Sequence, residues 1–105
     1  MNNMATIVTL EKKISPILKS NDVEFAGVFG SYARGEQKDS SDIDIVVRFS
    51  PKKQIGLIGF VGLERILSEA LNRKVDLFTE TSVDKYIRDE VAKDLKILYG
   101  QRQGI

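Results

Sequence analysis

The sequence contains neither cysteine nor histidine. Without cysteine the chain can form no disulfide and offers no thiolate zinc ligand, and such a composition fits the cytoplasm. Without histidine, a Ser-His-Asp triad and a histidine metal site are both impossible. Long apolar runs are also missing, so the sequence predicts no membrane span. Glu11, Lys12 and Lys13 interrupt the apolar residues too early for a signal peptide.

An excess of charge of either sign is also absent, because 16 basic residues face 15 acidic ones and the net charge is +1. No overall field therefore favours a nucleic acid or a membrane surface as partner. The rest of the composition is that of an ordinary globular protein, with 42% hydrophobic and 30% charged residues. A chain of 105 residues buries roughly 60 to 68 per cent of its unfolded surface on folding. We therefore expect one domain over residues 1–105.

The most informative stretch is residues 30–44, GSYARGEQKDSSDID. Asp42 and Asp44 open a run of β-branched residues, and the alternation of side chains along a strand points both carboxylates to one face. Two carboxylates about 4 Å apart repel by roughly 1 kcal/mol in water and by about 4 kcal/mol at an effective dielectric near 20. A hard cation such as Mg²⁺ or Mn²⁺ offsets that repulsion. The pair therefore predicts a divalent metal site.

Gly30 and Ser31 follow the apolar run 23–29, and ten residues separate them from this pair. That run predicts a strand, and its nearly uniform apolar character places the strand centrally in a sheet. We expect a turn into a short helix at Gly30-Ser31, where free backbone N–H groups and the helix dipole favour a phosphate. A phosphate cradle beside a carboxylate metal site is suited to attack on a nucleotide phosphate.

Gly-Ser, ten residues and then Asp-x-Asp resembles the signature of the DNA polymerase β-type nucleotidyltransferase superfamily. Residues 29–35, FGSYARG, resemble its minimal nucleotidyltransferase (MNT) branch, which is typically the antitoxin half of HEPN–MNT toxin–antitoxin pairs. The resemblance covers most of the chain, because residues 74–77, KVDL, are similar to the strand that carries the family's third carboxylate. It implies an α/β (α+β) fold, with packed helices on a mixed sheet of three to four strands.

Two longer helices are predicted by apolar residues at intervals of three and four. The first ends at Asn21-Asp22, and Pro16 should either kink it or, with Ser15 as cap, start a new turn. The second covers about residues 57–72 and has Asn72 as its C-cap.

A lone acid, Asp76, lies in the strand predicted over residues 74–78. Val75 and Leu77 face one side of that strand and Asp76 faces the other. A buried carboxylate needs a partner, so two interpretations are open. Asp76 is either an edge-strand side chain that reaches solvent or part of a metal site shared with Asp42 and Asp44, and that pair favours the second.

The C-terminal third predicts one more helix and one more strand. Thr81 to Asp84 has the pattern of a helix start, with Thr81 as the cap. A stripe at four-residue spacing then predicts a core-facing helix, and it consists of Val83, Ile87, Val91 and Leu95. Residues 97–99 predict a short last strand that Gly100 stops.

The superfamily resemblance implies roles for the three acids. Asp42 and Asp44 would bind two divalent ions, Mg²⁺ or alternatively Mn²⁺, that also hold ATP. Asp76 would complete the metal site on the acceptor side and help to deprotonate the attacking hydroxyl.

The resemblance also implies contacts with the nucleotide. Gly30 would allow the backbone close to the phosphates, and the Ser31 hydroxyl would bond a terminal phosphate oxygen. Arg34 would neutralise phosphate charge. For Lys38 a phosphate contact and a solvated loop position both stay open.

The acceptor hydroxyl is expected to come from a partner, because the chain is too short for the second domain of larger relatives. Among MNT proteins the implied donor is ATP and the implied acceptor is a tyrosine of the cognate HEPN ribonuclease toxin. The first hypothesis is an antitoxin that transfers AMP to its toxin within a hetero-oligomer. One alternative is an antitoxin that neutralises by contact alone, and another is an enzyme that adenylylates a small hydroxylated molecule. The three acids favour an enzyme, since a pure binder has no need of mutually repelling carboxylates.

Overall fold

The structure of the protein is a computed structural model that describes residues 3–101. Within this range the elements, in chain order, are α1 (Asn3–Ser20), β1 (Val23–Phe29), α2 (Ser31–Arg34), β2 (Ile43–Phe49), α3 (Leu57–Leu71), β3 (Val75–Thr79), α4 (Lys85–Asp94) and β4 (Lys96–Gly100). The strands form one sheet in the order β3-β2-β1-β4. β1 pairs antiparallel with both β2 and β4, whereas β2 and β3 are parallel. The predicted mixed sheet with packed helices, and the central place of β1, are confirmed.

Helices cover both faces of the sheet, because successive side chains of β1 and β2 enter two different core clusters. Val28 and Ile45 belong to the larger cluster, together with the apolar faces of α1 and α3. Phe25 and Val46 belong to a smaller cluster, which Val91 of α4 completes. Asp42, Asp44 and Asp76 stand at alternate positions with Val46 and Phe78, so the sheet presents them on the face that α4 covers.

α1 is one continuous helix that runs through Pro16, so the alternative of a new turn at that residue is wrong. Ile14 and Leu18 are fully buried on either side of the proline. Their packing holds the chain in the helix although proline removes one N–H donor. None of the helices within residues 3–101 combines the length and the hydropathy that a membrane span requires.

β3 is an edge strand whose outer N–H groups are bonded by side chains of α3. The Val75 N–H donates to Ser68 Oγ at 2.9 Å, and the Leu77 N–H donates to Glu64 Oε2 at 2.8 Å. The bounds of α3 agree with the prediction, and Asn72 caps its C-terminus in the left-handed conformation, with φ 52°.

α4 begins later than predicted, so the assignment of its cap to Thr81 is wrong. Asp84 is the N-cap, and its carboxylate accepts from the Ile87 N–H at 3.0 Å. Thr81 instead lies in a hydrogen-bonded turn in which the Ser82 N–H donates to the Thr79 carbonyl at 3.1 Å. The core-facing stripe of α4 is confirmed. β4 includes Gly100, where it was predicted to stop.

Candidate active site

Three acids and the Gly30 turn meet at one rim of the sheet. Because β2 and β3 are parallel, their N-terminal ends lie at the same rim, and Asp44 is the register partner of Asp76. β1 runs the opposite way, and its last residue, Phe29, pairs with Asp44. Gly30 therefore follows at that rim as well. The predicted convergence of the carboxylates beside the Gly30-Ser31 turn is present in the fold.

Asp42 and Asp76 share one cation, the ammonium group of Lys74. Lys74 Nζ lies 3.6 Å from Asp42 Oδ2 and 3.6 Å from Asp76 Oδ1. Burial raises the pKa of Asp76, Lys74 opposes this rise, and Asp42 adds to it. The net shift is upward, as expected for a carboxyl that loses solvent beside another acid.

Asp44 is the most strongly perturbed acid at this rim. Its pKa is raised from 3.8 to about 6, first by burial and then by the negative charges of Asp76, Glu90 and Asp42. Glu90 belongs to α4, so the negative charge of a fourth acid, from a different element, also acts on Asp44. The sequence offered no local signal for it, because it is 46 residues away along the chain.

The Asp44 carboxylate occupies the space that a side chain on residue 30 would fill. The φ of 74° and ψ of −151° of Gly30 lie in a region that side chains rarely adopt. A Cβ on Gly30 would lie 2.6 Å from Asp44 Oδ2. The glycine therefore serves both the sharp turn and the close approach of the carboxylate.

Ser31 begins the short helix α2, as predicted. Tyr32 and Ala33, which follow it, are buried and fix this helix against the core. Gly35 ends the helix in the left-handed conformation, with φ 74° and ψ 23°. The Ser31 carbonyl accepts from the Glu36 N–H at 2.9 Å. Ser31 is thus held in position directly after Gly30.

Arg34 lies among acids. Its Nε is 2.8 Å from Glu36 Oε1, and its Nη1 is 2.7 Å from Asp94 Oδ2 and 3.3 Å from Glu90 Oε1. The Asp94 side chain is only 8% exposed, so this contact ties α2 to the end of α4. The expected contact between Arg34 and phosphate stays a prediction. Lys38 is exposed in the loop after α2, where its N–H donates to Ser41 Oγ at 2.8 Å.

The chemistry of the side chains at this rim is compatible with a divalent cation. The Lys74 ammonium already stands as a cation between two carboxylates. The available donors, Asp42, Asp44 and Asp76, supply hard carboxylate oxygens, which Mg²⁺ and Mn²⁺ prefer. In the part of the chain that the structure describes, no three acids are arranged so that they could hold a metal ion. Asp42 and Asp76 form salt bridges with Lys74, whereas Asp44 lies against Gly30.

A family model described as "Polymerase beta, Nucleotidyltransferase" matches residues 12–104. The chain belongs to this nucleotidyltransferase family. The match extends from the middle of α1 to beyond β4. It therefore includes the whole sheet and every residue of the rim described above, and the predicted superfamily is confirmed.

Relatives of this nucleotidyltransferase are named protein adenylyltransferases. A Methanocaldococcus jannaschii protein provisionally named protein adenylyltransferase is 41% identical over 85 residues, 81% of this chain and 89% of the relative. The protein adenylyltransferase MntA of Thermococcus cleftensis is 35% identical over 95 residues, 90% of this chain and 92% of the relative.

Two of the solved structures similar to this nucleotidyltransferase are toxin–antitoxin complexes. A crystal structure of a toxin–antitoxin with AMP-PNP matches with a TM-score of 0.75 and 32% identity, over 88% of this chain and 74% of that chain. A structure of tri-AMPylated Shewanella oneidensis HEPN toxin in complex with MNT antitoxin matches with a TM-score of 0.69 and 28% identity. The match covers 90% of this chain and 73% of that chain. The predicted similarity to MNT antitoxins is confirmed.

Proposed function

We propose that this protein is an antitoxin that transfers AMP from ATP to a tyrosine hydroxyl of a cognate HEPN-type toxin. The meeting of Asp42, Asp44 and Asp76 beside Gly30 is the observation that carries the proposal. The similarity to an MNT antitoxin in complex with an AMPylated HEPN toxin supports a HEPN-type toxin as the acceptor of AMP. With ATP as donor, the reaction belongs in the cytoplasm, where the protein forms a hetero-oligomer with its toxin.

Asp42, Asp44 and Asp76 would hold two Mg²⁺ ions, or Mn²⁺. When bound, these ions neutralise the triphosphate and the charge of the leaving pyrophosphate. Asp76 accepts the proton of the attacking tyrosine hydroxyl. The tyrosine oxygen then forms a bond to the α-phosphorus, and the bond from that phosphorus to the oxygen bridging to the β-phosphorus breaks, releasing pyrophosphate.

Gly30 and Ser31 face the nucleotide in this proposal. The absence of a side chain on Gly30 lets the phosphates approach the backbone, and the Ser31 hydroxyl donates to a terminal phosphate oxygen. The order of groups along the rim supports a triphosphate at the end of β1 and an acceptor hydroxyl at the start of β3. This geometry agrees with the roles expected for Asp44 and Asp76.

The test is transfer of labelled AMP from ATP to the purified toxin, with Mg²⁺ present. We expect label on the toxin with the wild-type protein, and a rate at least about a thousandfold lower for the double variant Asp42→Asn with Asp44→Asn. Loss of about 4 kcal/mol of transition-state stabilisation corresponds to that factor. Asp39→Asn, in the exposed loop between α2 and β2, is the matched control and should retain transfer.

Toxin inhibition is measured alongside transfer. If the double variant still neutralises the toxin fully without labelling it, the protein acts by contact and the enzymatic proposal fails. Label that appears on a small hydroxylated molecule but never on the toxin would also overturn it.

A further inference from the structure

Lys74 occupies the place between two of the proposed metal ligands. Its backbone lies directly before β3 and is held there, because its carbonyl accepts from the Ile43 N–H at 2.9 Å. Its side chain is 71% exposed and free to extend into water, yet Nζ lies 3.6 Å from both Asp42 and Asp76. A long lysine side chain loses rotamer freedom when it is held in one place. The attraction of two carboxylates is what offsets that loss.

Arg34, another cation at this rim, is already paired with other acids. The charge of Arg34 lowers the pKa of Asp44, but its guanidinium is shared among three carboxylates, those of Glu36, Glu90 and Asp94. Lys74 is the basic side chain that bridges Asp42 and Asp76. Without a cation there, the repulsion between these acids would favour their separation.

We propose that Lys74 is a positioning residue that holds Asp42 and Asp76 together until a divalent metal displaces its ammonium group. The inference rests on the proposed function, since it takes these two acids as metal ligands. Displacement by the metal is possible because Lys74 lies at the surface and its stem can swing outward. The consequence is competition: the bound ammonium weakens metal binding by the protein alone, and metal entry releases Lys74.

Calorimetric titration with Mn²⁺, without nucleotide, tests the competition. In Lys74→Met the Kd for Mn²⁺ should fall about tenfold, because the metal no longer displaces or repels a cation. In Lys74→Arg, which keeps the positive charge, the Kd should change less than threefold. Lys52→Met is the matched control: it removes the same charge from the exposed turn after β2, at the opposite rim, and should leave the Kd unchanged.

Acylation of lysine amines, followed by mass spectrometry, tests the release. The rate at Lys74 should rise severalfold when Mn²⁺ is added, whereas the rate at Lys52 should stay constant as an internal reference. Asp42→Asn should raise the Lys74 rate without metal, because one of its two partners is lost.

Certain results would overturn the inference. One is a Kd for Mn²⁺ in Lys74→Met that equals or exceeds the wild-type value. Another is the absence of Mn²⁺ binding in both proteins. A third is an acylation rate at Lys74 that does not change when Mn²⁺ is added. Mn²⁺ binding by Lys74→Met alone would support complete blockage by the lysine. AMP transfer to the toxin at saturating Mg²⁺ is a separate measurement, so the proposed function can stand while this inference fails.

Discussion

At the residue scale, Gly30 shows how one position serves both backbone conformation and site chemistry. Its φ is 74°, and a Cβ there would lie 2.6 Å from the Asp44 carboxylate. Any side chain therefore strains the turn and displaces the acid.

Gly30→Ala should lower the free energy of unfolding by about 1–3 kcal/mol, the usual cost of such a backbone conformation. AMP transfer should fall about a hundredfold, because small misplacements of catalytic groups have effects of that size. Urea unfolding and the labelled transfer assay measure the two effects. Gly62→Ala is the control: nothing lies within 4 Å of its Cβ in α3, so it should stabilise by roughly 0.5–1 kcal/mol. Wild-type behaviour of Gly30→Ala would show that the turn tolerates a side chain.

Asp44 makes stability depend on pH in the metal-free protein. Its pKa in the folded state is about 6 against 3.8 for the free group, so the folded state binds the proton more tightly. The free energy of unfolding in a metal chelator should fall as the pH rises from about 4 to about 6. After allowance for partial exposure, the loss is about 1 kcal/mol.

Asp44→Asn removes the contribution of Asp44 to this dependence, so the variant should be more stable than the wild type at pH 7.5 and no more stable at pH 4. Urea unfolding at both pH values in EDTA is the measurement. Asp89→Asn, on the exposed side of α4, should show no such crossover. An Asp44→Asn variant less stable than the wild type at pH 7.5 contradicts the prediction.

At the scale of elements, Arg34 joins α2 to α4. Because Asp94 is nearly buried beside it, Arg34→Met and Asp94→Asn should each lower Tm, and the double variant should lose less than the sum. The same cycle on the exposed Arg65–Glu69 pair of α3, whose atoms are 3.4 Å apart, should show coupling at least about threefold smaller. Equal coupling in the two cycles would mean that the Arg34 network is only a surface feature. A weaker ATP affinity in Arg34→Met at unchanged Tm would instead support the phosphate contact.

The contact of α3 with the edge of β3 gives a second prediction at this scale. Glu64→Ala leaves the Leu77 N–H without its carboxylate partner and should cost about 1–3 kcal/mol in urea unfolding. Glu64→Gln keeps an acceptor and should cost less. Glu69→Ala, on the exposed side of the same helix, should cost under about 0.5 kcal/mol. Equal losses for Glu64→Ala and Glu69→Ala would show that the edge bond contributes nothing.

At the scale of the whole molecule, one sheet separates two core clusters that share its strands. The radius of gyration is 12.8 Å, close to the value of about 13 Å for a single domain of 100 residues. The single domain expected from length stays a prediction, which cooperative unfolding tests.

Far-UV circular dichroism and tyrosine fluorescence should give coincident urea transitions. Leu67→Ala in the larger cluster should cost about 2–5 kcal/mol, and Phe25→Ala in the smaller cluster about 3–5 kcal/mol. Both should lower the midpoint with an unchanged slope. Separate transitions for the two variants would show that the clusters unfold independently.

Much of this structure could be predicted from interactions between residues that are close along the chain. The apolar run 23–29 predicted β1, because a strand without alternation must be buried on both faces. The spacing of α3 and its Asn72 cap are read within one helix. The Gly30-Ser31 turn and the Asp42–Asp44 pair are also local, since each depends on neighbours along the chain.

Contacts between distant segments decided the rest. The parallel pairing of β2 with β3 set Asp76 opposite Asp44, where the sequence left an edge position open. The salt bridges of Lys74 and of Arg34, and the reach of Glu90 toward Asp44, depend on how elements pack. The N-cap of α4 is Asp84 and not the predicted Thr81, because the chain first makes a turn from Thr79 to Ser82. Periodicity and capping act over a few residues, whereas charge pairing acts through space, so only the folded chain shows which charges meet.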